Sequence, residues 1–200
     1  MLDRLRGSLK GWLDSAGRTA SKAIPSPTAW TLIGLFFAFL ASVNYGEGHP
    51  VVGGLMVVLS GFFDILDGAV ARATGKVSAR GAFLDSTLDR VSELVVFLGI
   101  LVGGYVSPFV VVLALSFSLL VSYTRAKGDA LGVSLAGVGI GERSERLVVL
   151  IVTSLLSVVG LGVIIIALLA FVTFVQRTVK VSSALGRAKK EEVASPPAPS

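Results

Sequence analysis

Apolar positions along this chain follow two regimes. Over residues 2–23, "LDRLRGSLKGWLDSAGRTASKA", Leu2, Leu5, Leu9, Trp12, Leu13, Ala16 and Ala20 recur at helical spacing, with Arg4, Arg6, Lys10 and Arg18 mostly between them. An apolar stripe beside a basic face predicts an amphipathic helix lying on a membrane surface. The alternative is a basic solvated arm, because the periodicity fades after Ala16. No unbroken apolar core precedes a small-residue cleavage site, so the segment does not read as a signal peptide. The stretch "IPSPT" (24–28) then ends this helix, and its proline and hydroxyl residues suit the start of the next.

Beyond it the apolar residues run nearly continuously, in six stretches at about 28–45, 50–73, 81–102, 107–128, 144–159 and 161–178. A helix needs about 20 residues at 1.5 Å each to cross ~30 Å of hydrocarbon. The first four stretches meet that length. Only "GLG" (160–162) separates the last two, and a single helix over 144–178 would run ~50 Å, too long for one crossing. A tight hairpin is predicted there. The expected fold is an all-α membrane protein of six transmembrane helices preceded by an N-terminal amphipathic interfacial helix. In domain terms this gives a juxtamembrane helix over 1–23, a six-helix transmembrane domain over 24–180 and a tail over 181–200. The tail ends in the polar, proline-rich "AKKEEVASPPAPS" and is expected to be disordered.

Composition supports a membrane protein. Of 200 residues 53% are hydrophobic and 16% charged, against roughly a quarter charged in soluble domains. Many of the 23 glycines lie inside apolar runs, as transmembrane helices tolerate. The absence of cysteine excludes disulfides, thiolate metal sites and cysteine nucleophiles. A net charge of +5 would suggest nucleic acid in a soluble protein, but here its distribution matters more, and no nucleic-acid partner is expected. All 18 Lys and Arg fall in the N-terminal arm, around the second and fourth connections, or in the tail. The connections "NYGEGH", "GGYVS" and "GLG" carry none. With six spans every basic residue lies on one side, which predicts both termini on the cytoplasmic face of the cell membrane.

Within this apolar chain the segment "DILDGAVARATGKVSARGAFLDSTLDR" (64–90) carries Asp64, Asp67, Asp85 and Asp89. An ionised carboxylate out of water costs several kcal/mol or more unless paired or bound to a metal. Asp64 and Asp67 are three apart and Asp85 and Asp89 four apart, so each pair shares one helix face. The short connection from Arg72 to Gly81 makes the two helices antiparallel neighbours, and the four carboxylates converge at their cytoplasmic ends. Solvated surface charges would be the plain alternative, but the run "GLMVVLSGFF" leads straight into Asp64. Two divalent cations would offset the repulsion, and all-oxygen ligands suit Mg²⁺ or Mn²⁺. Two metals a few Å apart form the usual clamp for displacement at phosphorus. Gly68 leaves room for a ligand near the backbone, and Gly81 does the same or allows close helix packing.

These residues carry a resemblance. The pattern Asp64-x2-Asp67-Gly68-x2-Ala71-Arg72-x8-Gly81-x3-Asp85-x3-Asp89 is similar to the complete signature of the CDP-alcohol phosphatidyltransferase family. Residues 1–180 also resemble it in layout. The resemblance implies a homodimeric membrane enzyme that transfers a phospholipid moiety from a CDP-lipid to an alcohol and releases CMP. It implies Asp64, Asp67 and Asp85 as metal ligands, and Asp89 as a ligand of the second metal or the general base. By the same resemblance Gly68, Ala71, Arg72 and Gly81 bind the CDP-lipid, with Arg72 on the diphosphate. Glu93 continues the Asp85–Asp89 face.

A second basic cluster addresses the acceptor. Arg143 and Arg146 are three apart at the start of the fifth stretch, and Arg125 ends the fourth with Ser122 three before it. Arginines so arranged grip a phosphate bidentately, although positive-inside charge alone would also place them there. "SYTRA" followed by "ERSERL" resembles family members that use inositol phosphate, making phosphatidylinositol phosphate or its archaeal ether-lipid equivalent. Lys127 stands where arginine is common. The expected donor is CDP-diacylglycerol or CDP-archaeol and the expected acceptor inositol 3-phosphate. Glycerol 3-phosphate is the alternative acceptor, and a divalent-cation transporter the alternative of another class. A transporter would want carboxylates at mid-bilayer and internal repeats, and neither is visible. His49 is assigned no role. Gly99-x3-Gly103 offers a small-x3-small contact pattern.

Overall fold

The computed structural model describes residues 2–194, with side chains from 11 to 187. These residues form seven helices and no strand: α1 (Leu2–Ala23), α2 (Pro27–Gly46), α3 (Pro50–Ala73), α4 (Ala79–Gly103), α5 (Pro108–Ala130), α6 (Arg143–Leu155) and α7 (Val159–Ala194). The periodic N-terminal segment is helical over the expected range, though the side chains of its first basic and leucine positions lie outside the described residues. Three helices open on proline, at Pro27, Pro50 and Pro108, where a missing N–H costs nothing and φ is already helical. Ser78 caps α4 by accepting from the Gly81 N–H at 3.1 Å.

Four helical stretches are long and apolar enough to cross a membrane: Pro27–Gly46, Pro50–Ala73, Pro108–Ala130 and Val159–Arg187. The other two differ for separate reasons. The first half of α4 carries the charges of the 80–93 segment. The 13 residues of α6 cover only ~20 Å. The segment before α6 folds into the bundle, burying Leu135 completely and donating the Gly141 N–H to Thr173 Oγ1 at 2.9 Å.

The expected hairpin between the last two stretches is present, but its turn lies at Leu156–Val158 and not at "GLG". Ser157 takes the left-handed conformation there (φ 58°), which L side chains adopt only at a cost. Gly160 and Gly162 sit instead in the first turn of α7. A Cβ on Gly160 would run into the Tyr105 carbonyl oxygen, and one on Gly162 into Thr153 Oγ1. Their role is close approach. Gly99 and Gly103 act likewise, since a Cβ on either would meet the backbone of α2 at Ser42 and Tyr45. The small-x3-small pattern is thus the α2–α4 contact. At its far end α7 continues as helix to Ala194, through the part of the tail expected to be disordered. Residues such as Ala184, Leu185 and Arg187 are good helix formers, and no proline occurs between Pro108 and Pro196. Residues 195–200 lie outside the described residues.

The core is built from small and β-branched residues of α2 to α7, among them Ala38, Ala41, Val57, Ile100, Ala114, Val163 and Ile166. Large apolar side chains, including Phe36, Phe39, Phe62, Leu98 and Leu168, point outward. That inverts the soluble pattern. Tyr45 and Ser154 share a 2.6 Å hydrogen bond that pins α2 to α6, and Tyr105 donates to the Tyr45 carbonyl at 3.1 Å. Helix α1 lies against α3, with Gly17 so close to Ala69 that a Cβ there would stand 2.6 Å from its carbonyl oxygen.

Candidate active site

The C-terminal end of α3 and the N-terminal end of α4 bring the acidic residues together as their spacing predicts. Asp64, Asp67 and Asp85 each place one carboxylate oxygen within 4.8 Å of the other two. Asp67 is 6% exposed, and Oδ2 accepts a 2.6 Å hydrogen bond from Thr31 Oγ1 on α2. Asp89 stands beside this trio, tied to α6. Arg143 Nη1 donates to Asp64 Oδ2 at 2.8 Å and lies 2.8 Å from Asp89 Oδ1. The latter contact lacks hydrogen-bond angles, so Asp89 Oδ1 is buried without a hydrogen-bond partner. Asp89 Oδ2 is 3.5 Å from Arg90 Nη1.

Three converging hard oxygen donors with a single arginine against them form a donor set that fits a divalent cation. Asp89 Oδ1 points the same way, since it is buried beside the trio with an ion pair to Arg143 but no hydrogen bond, and keeps acceptor capacity for such an ion.

Two clefts of different character flank the aspartates. The first, about 310 Å³, is lined by Gly68, Ala71, Arg72 and Gly81 together with Asp67 and Asp85. All four residues expected at the CDP-lipid are there. A Cβ on Gly68 would sit 3.3 Å from Arg72 Nη1, a tight contact that glycine avoids. Thr31 also lines this cleft, and no sequence signal distinguished it from other hydroxyls in an apolar run. Lys76 Nζ donates to the Pro25 carbonyl at 2.8 Å, closing the corner between α1 and α2.

The second cleft, about 270 Å³, is predominantly polar and is lined by Asp89 with Ser122, Arg125, Arg143 and Arg146. The four expected acceptor residues therefore converge, but they are not equivalent. Arg125 is exposed, whereas Arg146 is 3% exposed and spends three N–H groups internally. Its Nε and Nη2 donate to Glu93 Oε1 at 3.2 and 2.8 Å, and Nη1 to the Gly141 carbonyl at 2.7 Å. Arg143 is likewise engaged by the aspartates. The cleft also holds Arg90 and Arg177, which sequence reasoning counted only as positive-inside charges.

Arg177 is 2% exposed and donates to the Val138 and Val121 carbonyls and to Glu142 Oε1, each at 2.8 Å. Its position as the lone charge within the last apolar stretch was the signal that would have singled it out.

A sequence model described as CDP-alcohol phosphatidyltransferase matches residues 26–175. Archaetidylinositol phosphate synthase of Pyrococcus horikoshii is 39% identical over 177 residues, covering 88% of this chain and 94% of its own. Phosphatidylinositol phosphate synthase of Streptomyces avermitilis is 37% identical over 175 residues, covering 78% and 72%. The crystal structure of Mycobacterium tuberculosis phosphatidylinositol phosphate synthase with CDP-DAG bound superposes with a TM-score of 0.77 at 27% identity, covering 84% of this chain and 92% of that one. The same enzyme in complex with manganese and citrate also gives a TM-score of 0.77, at 27% identity and with 84% and 88% covered.

Proposed function

The chain belongs to the CDP-alcohol phosphatidyltransferase family, and from that premise we propose a specific reaction for it. The phosphatidyl or archaetidyl group of CDP-diacylglycerol or CDP-archaeol is transferred to inositol 3-phosphate, and CMP is released. One observation carries this reading: the aspartates form the wall between two clefts, with Asp67 and Asp85 facing one and Asp89 the other. A donor and an acceptor held on either side would meet at the carboxylates. The names of the P. horikoshii and S. avermitilis relatives support an inositol phosphate acceptor.

In this mechanism Arg72 takes the donor diphosphate, with Gly68, Ala71 and Gly81 giving the nucleotide its room. Asp64, Asp67, Asp85 and Asp89 hold two divalent ions, Mg²⁺ or alternatively Mn²⁺. The manganese in the M. tuberculosis structure supports a divalent ion of this type. Such ions, when bound, supply charge neutralisation on the diphosphate and on the departing CMP. Asp89 accepts the proton of the acceptor hydroxyl as its oxygen bonds to the lipid-side phosphorus and the bond from that phosphorus to CMP breaks. Asp89 Oδ1 accepts no hydrogen bond, and its ion-pair partner is the Arg143 guanidinium at 2.8 Å; this supports that role, because a base needs a lone pair within reach of the proton it takes. Ser122, Arg125 and Arg143 take the acceptor phosphate, with Arg146 behind them.

The enzyme works embedded in the cell membrane as a homodimer, with α2 to α7 as six crossings and α1 at the interface. The outward-facing phenylalanines and leucines support this. So does the bond of Ser154 near the end of α6 to Tyr45 at the far end of α2, which carries the short α6 from one end of the bundle to the other. The positive-inside rule puts the aspartates and both termini on the cytoplasmic side.

A CMP-release assay with a panel of acceptors tests the proposal. Inositol 3-phosphate should be turned over and free inositol should be nearly inactive, because an acceptor without a phosphate forfeits the charge-assisted contacts of Arg125 and Arg143. Efficient use of free inositol would sink the phosphate reading, and a preference for glycerol 3-phosphate would sink the inositol one.

A further inference from the structure

Glu93 has no part in the reaction above, yet it faces an arginine of the acceptor cleft. It follows Asp89 by four residues on α4, so Asp85, Asp89 and Glu93 form a row along one side of that helix. Helix α6 lays Arg143 and Arg146, three apart, against the row. The two rows pair in register. Arg143 Nη1 reaches Asp89 and Asp64, each at 2.8 Å, and Arg146 reaches Glu93 with Nη2 at 2.8 Å and Nε at 3.2 Å. The Glu93 and Arg146 side chains are 11% and 3% exposed.

An arginine cannot shed its charge in a protein, so a guanidinium buried in this position must have a carboxylate. Were Glu93 not there, Glu142 of the same cleft would already be paired with Arg177 at 2.8 Å, which leaves the aspartates, about one helical turn (~5.4 Å) along the row. They carry more negative charge than Arg143 alone offsets. Arg146 would then compete for the oxygens that a cation needs.

We propose that Glu93 is a positioning residue that holds Arg146 out of the aspartate cluster and against the rear of the acceptor cleft, leaving the cluster open to divalent cations. The inference rests on reading that cluster as a cation site. Glu93 thereby sorts two neighbouring arginines of one helix to two different partners.

The test is Mn²⁺ titration by electron paramagnetic resonance on the purified full chain, so that turnover is not needed as a readout. Residues that orient or flank metal ligands typically change metal affinity by about 10–100-fold when altered, so Glu93→Gln should weaken Mn²⁺ binding about tenfold or more. Glu93→Asp keeps the charge but retracts it, and should give an intermediate loss; it carries the same comparison if Glu93→Gln does not fold. Adding Arg146→Gln to Glu93→Gln should return Mn²⁺ affinity toward that of the unaltered chain, because the competitor is gone. A merely structural Glu93 would instead leave the double variant as weak as the single one, and that result overturns the inference. Unchanged Mn²⁺ affinity in Glu93→Gln overturns it as well. No Mn²⁺ binding by the unaltered chain overturns the cation-site reading and this inference with it.

Discussion

Replacing Thr31 by valine removes one hydroxyl at nearly constant shape and isolates a single contact of the aspartate cluster. Thr31 Oγ1 donates to Asp67 Oδ2 at 2.6 Å, and its longer contact to the Pro27 carbonyl, at 3.3 Å, is the weaker claim on the same hydrogen. Both side chains are buried, Thr31 at 8% and Asp67 at 6% exposure, and this hydroxyl is the side-chain donor to Asp67 Oδ2. A hydrogen bond to a charged group contributes about 1.5–3 kcal/mol, equivalent to roughly 10–150-fold in a binding constant. Independently, groups that orient a ligating carboxylate typically change metal affinity by about 10–100-fold when removed. The two estimates agree. Thr31→Val should therefore lower Mn²⁺ affinity by about 10–100-fold, while Thr31→Ser, which keeps the hydroxyl, should lose much less. Because Thr31 lines the cleft of Gly68 and Arg72, the KM for CDP-lipid should rise and the KM for the phosphorylated acceptor should hold. Calorimetric or spin-resonance titration with Mn²⁺, paired with steady-state kinetics for each substrate, reads these quantities. Unchanged Mn²⁺ affinity in Thr31→Val, or a rise confined to the acceptor KM, refutes the reasoning.

Two further substitutions separate the roles assigned to the site. Asp89→Asn should retain Mn²⁺ and CDP-lipid binding better than Asp67→Asn does while losing turnover; because general bases contribute about 10²–10⁴-fold, a residual rate above about a tenth refutes the base role. Arg177→Lys keeps a charge but loses the fork that joins Val138, Val121 and Glu142, and breaking such a buried network costs about 3–5 kcal/mol. Its thermal unfolding should shift downward and its acceptor KM should rise; an equal rise in the donor KM would show that Arg177 does not belong to the acceptor cleft alone.

Sequence by itself determined whatever depends on neighbours along one helix. The prolines at 27, 50 and 108 mark helix starts because proline's fixed φ and missing N–H act locally. The spacings of Asp64 to Asp67 and of Asp85 to Asp89 put each pair on one face through helical pitch alone, and the short connection at 74–78 made the two helices meet. Four carboxylates between apolar runs carry a desolvation cost large enough to announce a site before any coordinates. The composition likewise announced a surface turned toward lipid.

Tertiary structure decided everything that crosses between helices distant in sequence. Arg143 and Arg146 read as equals, but α4 offers one an aspartate and the other Glu93, so one guanidinium meets the aspartate cluster and the other is a buried strut. Thr31 and Asp67 are 36 residues apart, and only the packing of α2 on α3 joins them. Gly160 and Gly162 looked like a turn because glycine serves turns and close approaches equally well; the approach of Tyr105 and Thr153 selects the second use and moves the turn to Ser157. Burial works the same way for Arg177, whose three partners are Val121 of α5 and Val138 and Glu142 of the 131–142 segment. A charge in an apolar run signals that partners must exist, but which partners they are follows only from the helices that surround it.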